Sequence, residues 1–119
     1  MSDQPEIDGR SLTERLVLLG IADAVVTGEA PVASWEVRRR VEPMLEHVDA
    51  EVVSTPNEAD TARALNRLAT GSAVDEQQSD SSPTGKGRPR YSLAVDSMTV
   101  LGALETDDRL KPAVEAVRE

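Results

Sequence analysis

Apolar positions along this chain fall into blocks whose spacing changes from helical to alternating and back. The first block holds Leu16, Val17, Leu18, Leu19, Ile21, Val25 and Val26 and leaves almost no polar face. Ser11 and Glu14 stand ahead of it at capping-box spacing, where the hydroxyl accepts from a first-turn N–H and the carboxylate reaches back. A helix to about Thr27 is predicted, closed by Gly28 in the left-handed position. A helix apolar nearly all round must bury more than one side. In so short a chain the second side is expected to be another subunit.

Residues 28–33 read as a turn. Ser34 is the expected cap of a second helix, from Trp35 to about His47, whose Val37, Val41, Met44 and Leu45 share one face and whose last turn Pro43 should loosen. Thr55, Pro56 and Glu58 give cap, first-turn proline and box glutamate for a third helix that Gly71 stops. Its inner face is read as Ala62, Leu65, Leu68 and Ala69. Residues 73–78 and 88–95 alternate as strands around a polar Gly/Ser/Pro-rich tip. Asp96 then caps a fourth helix over 97–104, and Thr106 a last one over 107–118, in which Leu110, Val114 and Val117 recur on one side.

Helix, helix, helix, hairpin, helix is the order of a winged helix-turn-helix. The expected class is α+β, mostly α, with a two-stranded wing and a C-terminal helix for dimerisation. Residues 1–10 are read as a flexible N-terminus, 11–105 as the winged domain and 106–119 as the dimerisation element. A homodimer is expected to use Leu12, Leu16, Leu19, Leu110, Val114 and Val117.

Composition changes this picture in three ways. With no cysteine among 119 residues, disulfides, thiolate metal sites and thiol redox sensing are excluded within the chain. No apolar run reaches membrane-spanning length and the first ten residues lack signal-peptide order, so a cytoplasmic protein without a membrane partner is expected. The net charge of −9 argues against phosphate binding, but its distribution does not: eight of the thirteen basic residues lie within 34–95. Enzyme signatures are missing. The Gly-Lys-Gly at 85–87 lacks the upstream glycine of a phosphate loop, and one histidine without cysteine offers no nucleophile–base pair. No cofactor and no metal site are expected.

Three stretches carry a family resemblance. SWEVRRRVEPML resembles the second helix of PadR-like winged-helix regulators, TARALNRLATGSAV their recognition helix and its exit, and GKGRPRYSLAV their wing return strand with its Gly-Arg-Pro-x-Tyr-x-Leu pattern. The resemblance covers about residues 12–105 and implies a DNA-binding transcription regulator. Acid-rich, Lys-poor and Phe-free composition is similar to that of halophilic archaeal proteins, which points to the haloarchaeal, oxidative-stress branch of that family. The chain departs from typical members in lacking a long C-terminal coiled coil.

On this reading the partner is double-stranded DNA with a pseudo-palindromic operator. The third helix enters the major groove with Pro56, Asp60, Arg63 and Arg67 outward, and Thr55 and Asn57 at its N-terminus. Arg63 and Arg67 suit guanine or phosphate, and the helix N-terminus favours an anion. Lys86, Arg88 and Arg90 place three cations on the wing, where Gly87-Arg88-Pro89 suits a narrow minor groove. Of Arg38, Arg39 and Arg40, Arg39 points furthest from the core and is the expected DNA contact, to a phosphate, while the other two pair with Glu36 or Glu42. Trp35 and Tyr91 are read as packing residues, Met44 and Met98 as core, and His47 as a helix-end cation rather than a ligand beside Asp49 or Glu51. The alternative is a winged-helix module that binds protein and never touches DNA.

Overall fold

The computed structural model describes residues 11–48, 56–71, 73–78 and 89–118. Along them run α1 (Leu12–Val26), α2 (Ser34–Met44), a 3-10 turn (Leu45–His47), α3 (Glu58–Ala69), β1 (Val74–Gln78), β2 (Pro89–Leu93), α4 (Ser97–Leu104) and α5 (Lys111–Arg118).

α1 begins as its sequence dictates. Ser11 Oγ accepts from the Glu14 N–H at 3.1 Å, and Glu14 Oε1 accepts from the Ser11 N–H at 3.1 Å. Gly28 closes it at φ +79°, a conformation that costs a side-chain-bearing residue energy. The apolar circumference of α1 is buried within one chain up to Ala24, because α2, α3, α4, α5 and β2 all pack around it, while Val25 is half-buried and Val26 is exposed at its last turn. Five of the six residues expected to face a second subunit lie in this core. Leu16, Leu19, Leu110, Val114 and Val117 are all buried inside the protomer, and Leu12 is half-buried. The apolar stripe of α5 closes the core over α1 and α4, so these side chains are not spare surface awaiting another copy.

Other boundaries shift for local reasons. The cap of α2 is Ala33, not Ser34: the Glu36 carboxylate accepts from the Ala33 N–H at 3.2 Å, which satisfies that donor without a hydroxyl. After Pro43 the helix tightens to 3-10 geometry, as a missing N–H and a bulky ring require. α3 is capped by Asn57, two residues later than expected; Asn57 Oδ1 accepts from the Asp60 N–H at 2.7 Å, and Asp60 returns the bond at 3.3 Å. The last helix starts at Lys111 rather than at position 107, because Asp107 turns its carboxylate onto the Arg109 N–H at 3.0 Å and onto Arg15 of α1 at 2.7 Å.

β1 and β2 are antiparallel, in register from Val74 opposite Leu93 to Gln78 opposite Pro89. A third strand is present as a single residue in the segment read as a turn. The Val32 N–H donates to the Tyr91 carbonyl at 2.9 Å, and the Tyr91 N–H donates to Val32 at 2.7 Å. This bridge pins the free edge of β2 to the start of α2 and so sets where the hairpin leaves the domain.

Candidate nucleic-acid interface

The inner face of α3 is Thr61, Ala64, Leu65 and Leu68. Thr61 stays buried at no cost in unpaired polarity, since its hydroxyl donates to the Asn57 carbonyl at 2.9 Å. Ala62, expected inside, is exposed, and Ala69 is half-buried. The helix is therefore rotated from the sequence reading, and its outward stripe is Ala59, Ala62, Arg63, Asn66 and Thr70, all exposed. Arg63 keeps its expected place. Ala59, Asn66 and Thr70 were missed. Starting the helix at Asn57 and taking Thr61 and Ala64 as inward would have exposed them by the 3.6-residue period alone.

The other expected contacts of α3 fall differently. Thr55 lies outside the described residues. Pro56 is buried, and its carbonyl accepts from Arg38 Nε at 2.9 Å, so it is part of the scaffold. Asn57 and Asp60 are engaged in the cap that holds the first turn. With Glu58 and Asp60 both in that turn, the positive end of the helix already faces its own carboxylates, which leaves little field for a phosphate. Arg67 is exposed, yet its Nη1 stands 3.5 Å from the buried Glu14 of α1, which holds the guanidinium toward one flank of the stripe.

The arginine triplet divides by task. Arg38 joins α2 to the approach of α3 through Pro56 and lies 3.9 Å from Glu42. Arg40 bonds Asp23 at 2.6 Å and Glu29 at 3.0 Å, tying α2 to the end of α1, instead of pairing with Glu36. Burial works against the Arg40 charge, but these bonds outweigh it and hold its pKa above the ordinary value. Arg39 is exposed on the outer side of α2. On the hairpin, Arg90 is exposed opposite Gln77. Lys86 and Arg88 lie outside the described residues.

Two aromatic residues part company. Tyr91 is buried in the core, where desolvation, then the Glu76 charge, raise its phenol pKa. Trp35 is 49% exposed at the first turn of α2, and Met98 is 56% exposed on α4. Met98 thus corrects the expectation of a core position, while Trp35 has only about half its surface covered. Met44 is buried as expected, and His47 is exposed at the end of the 3-10 turn. Among the described residues no group of three or more His, Asp or Glu is placed to hold a metal ion. No helix among them is long and apolar enough to cross a membrane.

A solved structure of the Orc1 protein of Aeropyrum pernix in complex with DNA is similar to this chain, with a TM-score of 0.66 and 23% identity over 86% of the present chain. The fold is a winged helix. The chain spans about a quarter of that Orc1 chain, 25% of it being covered, and at this identity the likeness concerns the fold alone. No family model matches the chain, and no curated protein matches it. Within the winged helix, α3 is the second helix of the helix-turn-helix and β1–β2 the stem of the wing, with Val32 as the residual third strand.

Proposed function

We propose that this protein binds double-stranded DNA as a sequence-specific transcription regulator, with α3 in the major groove and the hairpin on the neighbouring minor groove or backbone. The carrying observation is the outward stripe of α3. It combines two alanines that fit against a thymine methyl, a guanidinium that can bond guanine at two points, and an amide that can do the same for adenine. The opposite face of α3 is buried, the Asn57 cap holds its first turn, and the Arg67–Glu14 pair ties one flank to α1, so the stripe stands on a packed helix.

The motif resemblance and the acidic, Lys-poor composition extend the proposal to a PadR-like, stress-responsive regulator of a halophilic archaeon, acting in the cytoplasm as two copies on a pseudo-palindromic operator. Any contact between those copies must come from surface other than Leu16, Leu19, Leu110, Val114 and Val117, which the protomer already buries.

The acids at the start of α3 favour a second reading, docking on a basic protein surface. Selection of duplexes from a random-sequence pool separates the two. DNA readout yields an enriched consensus in repeated rounds; a protein-docking module yields a pool no different from the input.

A further inference from the structure

A cleft of about 610 Å3 opens between the first turns of α2 and α3 and the loop-side end of β2. Its walls are Trp35 and Arg38 from α2, Glu58, Thr61 and Ala62 from α3, and Pro89 from the wing stem. Nothing in the groove-reading stripe requires an indole at this place, and nothing in the core does either, since Trp35 is about half exposed while Val37 and Val41 fill the space beneath α2.

We infer that this cleft seats one sugar–phosphate strand of the duplex, with the Trp35 indole lying against its deoxyribose and Arg38 facing its phosphate. The inference rests on the DNA-binding reading above and adds a site to it. If α3 occupies the major groove and the hairpin reaches the adjoining minor groove, the strand that separates those grooves must run over the surface between α3 and β2. That surface is this cleft. Ala62 belongs both to the cleft wall and to the outward stripe, so the two surfaces are continuous.

The lining suits such an occupant. Trp35, Ala62 and Pro89 offer apolar contact to a sugar face, and none of them carries sequence information. Arg38 donates through Nε to the Pro56 carbonyl, its Nη2 lies 3.9 Å from the exposed Glu42, and about a third of its side chain stays open to solvent. Among the described residues of the lining Glu58 is the single carboxylate, and it opposes a phosphate there. The site therefore makes two predictions of opposite sign, one for the indole and one for the carboxylate.

Trp35 is the only tryptophan of the chain, so its fluorescence reports this cleft alone. The test follows a labelled duplex by anisotropy and Trp35 by intrinsic emission and acrylamide quenching in the same titration. The expected result is an anisotropy rise accompanied by protection of Trp35 from acrylamide. Trp35→Ala should weaken binding about five- to tenfold on enriched and random duplexes alike, the order expected for losing the contact of a half-exposed indole. Its salt slope should be unchanged, because an indole neutralises no phosphate. Glu58→Gln should tighten binding about two- to fivefold at low salt, as removal of one like charge beside a phosphate does. Circular dichroism of both variants checks that the fold is kept. If anisotropy rises while Trp35 stays as open to acrylamide as before and both variants bind like the parent chain, the cleft proposal is overturned and the DNA-binding reading stands. If no duplex raises the anisotropy, that reading fails and the cleft proposal with it.

Discussion

Asp107 shows how much of this protein's electrostatics is spent on holding helices together. Its carboxylate takes bonds from the Arg109 guanidinium at 3.0 and 2.8 Å and from Arg15 of α1 at 2.7 Å, and it is almost fully buried. The Arg109 bonds lower its pKa most, burial pushes the other way, and Arg15 lowers it again, leaving it well below the ordinary carboxylate range. Because the folded chain holds the charged form more tightly than the unfolded chain does, the stabilisation is fully present above the unfolded value of about 4. It is lost progressively as pH falls below that toward the depressed folded value. Asp107→Asn should cost about 1–3 kcal/mol at neutral pH, in the range for hydrogen bonds to charged groups. The difference from the parent chain should shrink in denaturant titrations carried down toward pH 2. A difference that is flat across that range would place the acid sensitivity elsewhere.

Elements meet where small residues permit it, and Gly20 is the clearest case. A Cβ there would stand 3.1 Å from Val41 Cγ2, 3.2 Å from Val37 Cγ1 and 3.3 Å from the Val37 carbonyl oxygen. Both valines are fully packed, and the carbonyl belongs to the α2 backbone, so relief requires α2 to move. Alanine gains about 1 kcal/mol over glycine in a helix, whereas overpacking a tight interface costs about 1–3 kcal/mol. The balance predicts that Gly20→Ala lowers the melting temperature; a rise would mean that α1 and α2 have slack between them. Nothing in the periodicity of α1 marks Gly20 as a contact, since its role depends on which helix crosses there. By contrast the Ser11 box, Gly28, the Asp96 cap and the loosened turn at Pro43 were legible, because each is decided within a few residues. The start of α3 was not. Thr55-Pro56 and Asn57-Asp60 are both plausible starts, and the Arg38 bond to the Pro56 carbonyl, which no local pattern reveals, accompanies the later one. That two-residue shift rotated the expected outward face and hid Asn66 and Ala59. Val32 was equally silent, because a strand of one residue has no period.

At the scale of the whole molecule, most of the apolar surface that suggested a partner subunit is buried in the core of one chain. α1 is central, and the later helices complete its burial, so removing part of α5 exposes the core itself. Val114, fully buried, makes the distinction measurable. Val114→Asp places a charge in that core and should unfold the chain, with a loss above about 3 kcal/mol for an unpaired buried charge. A folded, soluble monomer in sedimentation and circular dichroism would instead return Val114 to an interface between copies.

A net charge of −9 also bears on how such a molecule would bind DNA. Non-specific affinity comes from phosphate neutralisation, which an acidic chain supplies poorly, so on the proposed reading base-edge contacts made by α3 carry the discrimination between sequences. The direct measurement is anisotropy of the parent chain and Arg63→Ala, side by side, on an enriched duplex and on a random one. The account predicts strong discrimination by the parent chain and a loss of about 1–3 kcal/mol on the enriched duplex for the variant, with little change on the random one. Equal affinity of both proteins for both duplexes would contradict it.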